Sequence, residues 1–195
     1  MQMDTIKREI IPGTIADFLV LGRSEIARLC PEIPFVFVEG WPMSVEQRQK
    51  LMQELHGISN ITLVSSQTDM RKIYGKCKFL LVPSIWEEAY GRVATEAQVS
   101  GIPVIASNRG GLPEAVGPGG ILIDPDSPIE EWVTATKRLW EDSKYYAELS
   151  AASAAYANRP EMSYSYQIAA KEQLYKQIVA EFPNKSLSTV YIYTN

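Results

Sequence analysis

Along this chain, short apolar runs alternate with stretches of helical period. From about Thr14, the residues Ile15, Phe18, Leu19, Ile26 and Leu29 recur near helical spacing, weakened in the middle by Gly22. That spacing predicts a helix, closed by Pro31 and Pro34. PFVFVEG then reads as a buried strand ending at Gly40. A second helix is expected from Ser44, a suitable N-cap, to His56, with Val45, Met52 and Leu55 on one face. ITLVS from Ile61 is the second strand, and Thr68 or Asp69 caps a short helix through Tyr74. KFLLVPS from Lys78, GIPVIAS from Gly101 and GILIDP from Gly120 are the third, fourth and fifth strands. Beyond them, Ile129, Trp132, Val133, Leu139 and Trp140 share one helical stripe, and an alanine-rich helix covers Tyr145 to Tyr156. A last helix spans about Ser165 to Phe182, with Ile168, Tyr175, Ile178, Val179 and Phe182 in phase. Strands this apolar, separated by helices, belong in a parallel sheet covered on both faces, so the predicted fold is a doubly wound α/β lobe.

Composition narrows the function classes without changing that picture. The 195 residues are 46% hydrophobic and 22% charged, which suits one domain with a real core. Net charge is −4, and no Lys/Arg cluster marks a nucleic-acid surface. The longest apolar runs, such as FLLV at Phe79 to Val82, are too short to span a bilayer, and the first residues lack the layout of a signal peptide. Cys30 and Cys77, the only cysteines, sit in apolar settings and are expected as reduced core thiols of a cytoplasmic protein. His56 is the only histidine, so neither a histidine-based triad nor a multi-histidine metal site is available.

The candidate chemistry concentrates in WEEAYGRVATEAQVSGIPVIASNRGGLPEAVG, residues 86–117. In open parallel sheets, ligands bind outside the carboxyl ends of the strands, where loops lead into helices. Pro83 to Gly91 is such a loop. Gly91 lets a ligand approach the backbone closely. A helix from about Arg92 offers unpaired N–H groups and the positive end of its dipole, a combination suited to a phosphate. Glu96, in the second turn, borders the buried stripe, where a carboxylate could accept hydrogen bonds from paired hydroxyls such as those of a ribose. Glu88, before the glycine, could bind another polyol beside the phosphate. On spacing alone a second reading stands beside this one: both are surface acids, favoured near a helix N-terminus by its dipole.

The wider pattern bears on that choice. PSIWEEAYGRVATEAQVSGIPVIASNRGGLPEAV resembles the donor-binding segment of GT-B glycosyltransferases of the retaining family 4 type, the group 1 glycosyl transferases. The matching positions are Pro83-Ser84, Glu88, Tyr90, Gly91, Glu96-Ala97, Gly101, Pro103 to Ala106, Gly110-Gly111 and Pro113-Glu114. NITLVSSQTDMRKIYGKCKFLLVPS and GGILIDPDSPIEEWVTATKRLWED resemble the flanking strand–helix units, so the resemblance covers roughly residues 13 to 160. It implies a Rossmann-like C-terminal lobe that binds a nucleotide-diphosphate sugar. In this family Glu96 would bind the ribose hydroxyls. Glu88, the candidate catalytic residue, would hold the donor sugar's hydroxyls together with the backbone of Ala89, Tyr90 and Gly91. Amides of Arg92 and Val93 would face the diphosphate, and Gly110 and Gly111 would keep the interlobe face thin, with Glu114 close by. The leaving diphosphate would help to deprotonate the acceptor, so no separate base and no metal or other cofactor is expected.

Several features are set aside or depart from the family pattern. Asp124-Pro-Asp126 looks like the metal motif of the other large glycosyltransferase fold, but here it links a strand to a helix and is read as a turn. Arg109 is read as an exposed loop arginine, although it could approach the phosphates. Trp41, Trp86, Trp132 and Trp140 are read as packing residues. Where the family carries a lysine that grips the diphosphate, this chain has Pro12 before Gly13; a charge-assisted phosphate contact is worth about 1.5–3 kcal/mol. The expected organisation is an irregular leader over residues 1–12, the sugar-nucleotide domain over 13–160, a helix over 161–182 and a tail over 183–195. That helix resembles the segment that packs on an N-terminal, acceptor-binding lobe. The chain is therefore expected to be the donor half of a glycosyltransferase, cytoplasmic or peripheral to a membrane, that needs such a lobe to act on an acceptor. The alternative is a non-catalytic nucleotide-sugar-binding module or a truncated, inactive fragment. A further candidate is another GT-B activity, such as a sugar-nucleotide epimerase or phosphorylase; epimerase-type chemistry would ask for additional acid/base groups, which a lone His56 does not encourage.

Overall fold

The computed structural model describes residues 14–16, 24–38, 44–85 and 87–181. The described residues up to Ala157 form one compact unit and those from Asn158 a second. In the first unit the strands are β1 (Thr14–Ala16), β2 (Phe35–Val38), β3 (Ile61–Val64), β4 (Leu80–Val82), β5 (Val104–Ser107) and β6 (Gly120–Ile123). They make one all-parallel sheet in the order β3-β2-β1-β4-β5-β6. The helices between and after them are α1 (Ser24–Leu29), α2 (Val45–Glu54), α3 (Arg71–Tyr74), α4 (Arg92–Val99), α5 (Leu112–Val116), α6 (Ile129–Glu141) and α7 (Ser143–Ala157).

The predicted helix from Thr14 is corrected at its start. Residues 14–16 are the central strand, with Thr14 opposite Phe35 of β2 and Ile15 opposite Leu80 of β4; α1 covers Ser24–Leu29, and Phe18, Leu19 and Gly22 lie outside the described residues. A three-residue strand is too short to show a period of its own, and Ile15 fits a helical template by spacing alone. What decides the matter is a strand on each side, which together take up its backbone donors and acceptors. Among the described residues the sheet therefore has six strands where the apolar runs suggested five.

Alternate side chains of the central strands feed two separate cores. Leu80, Val82, Val104 and Ala106 pack with Ala94, Ala97, Leu112 and Val116 on the face covered by α4 and α5. Phe79, Leu81 and Ile105 pack on the other face with Ile26 of α1 and with Trp132 and Leu139 of α6. The stripe predicted for α6 holds, since Ile129, Val133 and Trp140 lie against this second core. For α2 the cap holds, and of the predicted face only Leu55 does, packed against the second core. Ser44 and Gln47 form a reciprocal capping box at 3.1 and 2.9 Å, but Val45 and Met52 are exposed and Leu51 is the buried residue. Cys30 and Cys77 are buried and unbridged, and burial pushes the Cys30 thiol up to about 11. His56 is exposed.

In the second unit a 3-10 turn at Pro160–Met162 precedes α8 (Tyr164–Glu181), and no residue of α8 is buried. No helix among the described residues is long and apolar enough to cross a membrane. The expected leader with Pro12, and Gly13, Trp41, Trp86, Phe182 and the tail, lie outside the described residues.

Candidate active site

The strand order turns back on itself between β1 and β4, the position at which ligands bind open α/β sheets. The loops leaving the carboxyl ends of β4 and β5 lie backbone against backbone there, through residues 87–90 of the first and Gly110 and Gly111 of the second. A Cβ on Gly110 would stand 2.5 Å from Glu88 O and 2.7 Å from Glu88 N, and one on Gly111 would stand 2.5 Å from Ala89 O. Gly110 is also left-handed, at φ 56°. Gly111 N donates to Glu88 O at 2.6 Å, and Arg109 Nη1 donates to Ile85 O at 2.7 Å. The glycine pair expected to thin an interlobe face is thus the seat on which the Glu88 loop rests. Arg109, read from sequence as an exposed loop residue, is half-buried and clamps that loop.

Gly91 ends the loop as the N-cap of α4, at φ 77°, with a hypothetical Cβ only 2.6 Å from Leu112 Cδ2. Ala94 N bonds Gly91 O at 3.0 Å. The earlier amides of the helix, those of Arg92 and Val93, have no carbonyl one turn back to bind. Glu88 is half-buried, and Ser84 Oγ, itself in a buried residue, donates to its Oε1 at 3.0 Å. Glu96 lies one turn into α4 with 40% of its side chain exposed. Tyr74 Oη donates to its Oε2 at 3.2 Å, and Arg92 Nε pairs with its Oε1 at 3.1 Å.

The fold brings Glu88, Ala89, Gly110 and Gly111 together, and separately joins Glu96 to Arg92. Ala89, Tyr90 and the neighbouring Glu87 are exposed. Glu114 is exposed on α5, and its carbonyl accepts a bond from Tyr156 Oη at 2.7 Å. Asp124 Oδ1 accepts the Asp126 amide at 2.9 Å, so that carboxylate closes its own turn. Two side chains to which the sequence reading gave no role, Tyr74 and Ser84, each hold one oxygen of a candidate acid. Ser84 stands within the matched motif, four residues before Glu88; Tyr74 is 22 residues from Glu96, and no spacing rule points to it.

Comparison with known proteins follows the same segment. The family described as Glycosyl transferases group 1 matches residues 25–156. The D-inositol 3-phosphate glycosyltransferase of Saccharomonospora viridis is 33% identical over 191 residues, covering 91% of this chain and 43% of that protein. Its counterpart in Segniliparus rotundus is 31% identical over 150 residues, 73% of this chain and 33% of that protein. Among solved structures, HepE of Anabaena in complex with UDP and glucose superposes with a TM-score of 0.70 at 21% identity, over 84% of this chain and 48% of that one. Sucrose-phosphate synthase of Thermosynechococcus elongatus gives 0.67 at 25% identity, over 88% and 46%. The chain thus spans less than half the length of each of these proteins. With the family pattern running through most of the doubly wound sheet and its carboxyl-end loops, this chain belongs to the group 1 glycosyl transferases.

Proposed function

We propose that this chain is the C-terminal, donor-binding lobe of a glycosyltransferase that moves a sugar from a nucleotide diphosphate to an acceptor with retention. The observation that carries the reading is the arrangement around Gly91, where a half-buried carboxylate precedes a left-handed glycine and a second follows one turn into the helix it opens. The names of the relatives support the activity class, and HepE supports the ligand class, since its structures hold UDP, glucose and UDP-glucose.

In this reading the diphosphate meets the Arg92 and Val93 amides and the positive end of α4, with no metal required. Glu96 accepts the ribose hydroxyls, while Glu88 and the 89–91 backbone orient the donor sugar. The bond from the anomeric carbon to the diphosphate oxygen breaks, and a bond to the acceptor oxygen forms on the same face. The acceptor proton passes to the departing phosphate oxygen. The lobe acts by orientation and by stabilising charge on the leaving group, and a companion N-terminal lobe brings the acceptor.

Calorimetric titration with UDP, GDP and ADP and their sugars tests this. One base is expected to bind, and Glu96→Ala is expected to weaken it by about tenfold or more, the loss of hydrogen bonds to a charged group. Binding by none of them, or equal binding by Glu96→Ala, would remove the assignment.

A further inference from the structure

Glu96 is held from two sides by partners of different quality. Arg92 belongs to the same helix, four residues earlier, with 85% of its side chain exposed. An exposed pair of that kind fixes little. Tyr74 comes from another element, the end of α3, and is 8% exposed in the core that also contains Val38, Leu80, Val82 and Ala94. Its ring is set by packing, so its hydroxyl meets Glu96 Oε2 from a fixed position, at 3.2 Å.

A glutamate has three rotatable side-chain bonds and loses much freedom when it is ordered. Tyr74 imposes that order before any ligand arrives. An ionised carboxylate has about four acceptor sites, two on each oxygen. Tyr74 takes one on Oε2 and Arg92 one on Oε1, which leaves one on each oxygen. Two acceptors side by side at a fixed angle suit two hydroxyls on adjacent carbons.

We propose that Tyr74 is the positioning residue that presents Glu96 to the vicinal hydroxyls of a ribose, and that this pair makes the lobe prefer ribonucleotides to 2′-deoxyribonucleotides. The inference rests on the reading above, in which Glu96 meets the ribose. A deoxynucleotide leaves one prepared acceptor without a donor, and a site built around a hydroxyl rejects the analogue lacking it more strongly than shape alone does.

The test uses the full chain and titrates matched pairs: UDP with 2′-deoxy-UDP, GDP with 2′-deoxy-GDP, and ADP with 2′-deoxy-ADP. Wild type, Tyr74→Phe and Glu96→Ala are compared, with thermal melts of each. Tyr74→Phe removes one oxygen and keeps the ring in its packing. For the base that binds, it should lower ribonucleotide affinity on the order of tenfold, lower deoxynucleotide affinity less, since that ligand keeps one hydroxyl on Glu96, and so shrink the ratio. An equal loss for both sugars, or no loss for either, leaves the ratio unchanged and overturns the role of Tyr74. In that case a collapsed ratio in Glu96→Ala still upholds the ribose site. If Glu96→Ala also keeps the wild-type ratio, or if no nucleotide binds, the ribose-site reading falls and the Tyr74 proposal falls with it.

Discussion

The two ends of the sheet use polar side chains in opposite ways. At the amino end, before β4, Lys78 Nζ donates to Trp140 O at 2.5 Å and lies 4.7 Å from the Trp140 ring centre and 5.1 Å from that of Tyr146. It caps a carbonyl at the end of α6, and burial holds its pKa below the usual lysine range. Near the start of β3, Asn60 Nδ2 reaches three carbonyls, those of Ala27, Cys30 and Ile33, at 3.0, 2.9 and 2.8 Å. Those donors end on the protein itself. At the carboxyl end, Glu88 and Glu96 are steadied by Ser84, Tyr74 and Arg92 yet keep acceptor capacity, beside helix amides with no carbonyl to bind. The amino-end donors complete the fold; at the carboxyl end Arg109 and Asp124 do the same, while Glu88 and Glu96 are oriented and keep acceptor sites.

If that division is right, changes at the amino end should cost stability alone, and changes at the carboxyl end should cost binding. The largest effect is expected where the two coincide. Gly110→Ala forces a left-handed residue and drives a Cβ into the Glu88 backbone, which lies 2.5 Å away. The backbone conformation alone costs about 1–3 kcal/mol. The urea midpoint should fall, and nucleotide-sugar affinity should fall with it; unchanged affinity would show that the loop–loop seat does not shape the site.

Next in size, Asn60→Ala strips a donor from three carbonyls and should lower unfolding free energy by about 2–3 kcal/mol. Nucleotide affinity, measured by the same titration, should not move, and a drop would break the division between the ends. The smallest and sharpest change is Ser84→Ala. Losing its bond to Glu88 should reduce affinity for a nucleotide sugar by about fivefold, about 1 kcal/mol, with stability nearly unchanged. Affinity for the bare nucleotide diphosphate should stay level. An equal loss for both ligands would detach Glu88 from the sugar.

Much of this organisation was legible along the chain, and the exceptions share a cause. The apolar runs that became β2 to β6 announce themselves because each is bounded by proline, glycine or polar turns. The capping box at Ser44 and the α6 stripe are likewise local, written within a few residues. β1 was misread because its identity depends on neighbours at Phe35 and Leu80, far off in sequence. The buried face of α2 is right only at Leu55, for the same reason: its period admits more than one stripe, and the fold buries Leu51 while leaving Val45 and Met52 exposed. At the site, the resemblance singled out Glu88, Glu96, Gly110 and Gly111. It could not supply Tyr74 as the partner of Glu96, nor Arg109 as a clamp on Ile85, because those contacts join separate elements.

By itself, then, the sequence determined the alternation of strand and helix, the parallel class of the sheet and the stretch where its polar chemistry gathers. Periodicity, caps and turn residues act over a few positions, so they survive in a linear reading. Only the tertiary structure decided which strand lies at the centre, why two glycines must sit beneath Glu88, and that Tyr74 holds Glu96 from another element. Those outcomes depend on backbones approaching within a few ångströms across long stretches of chain, and no local pattern records that distance.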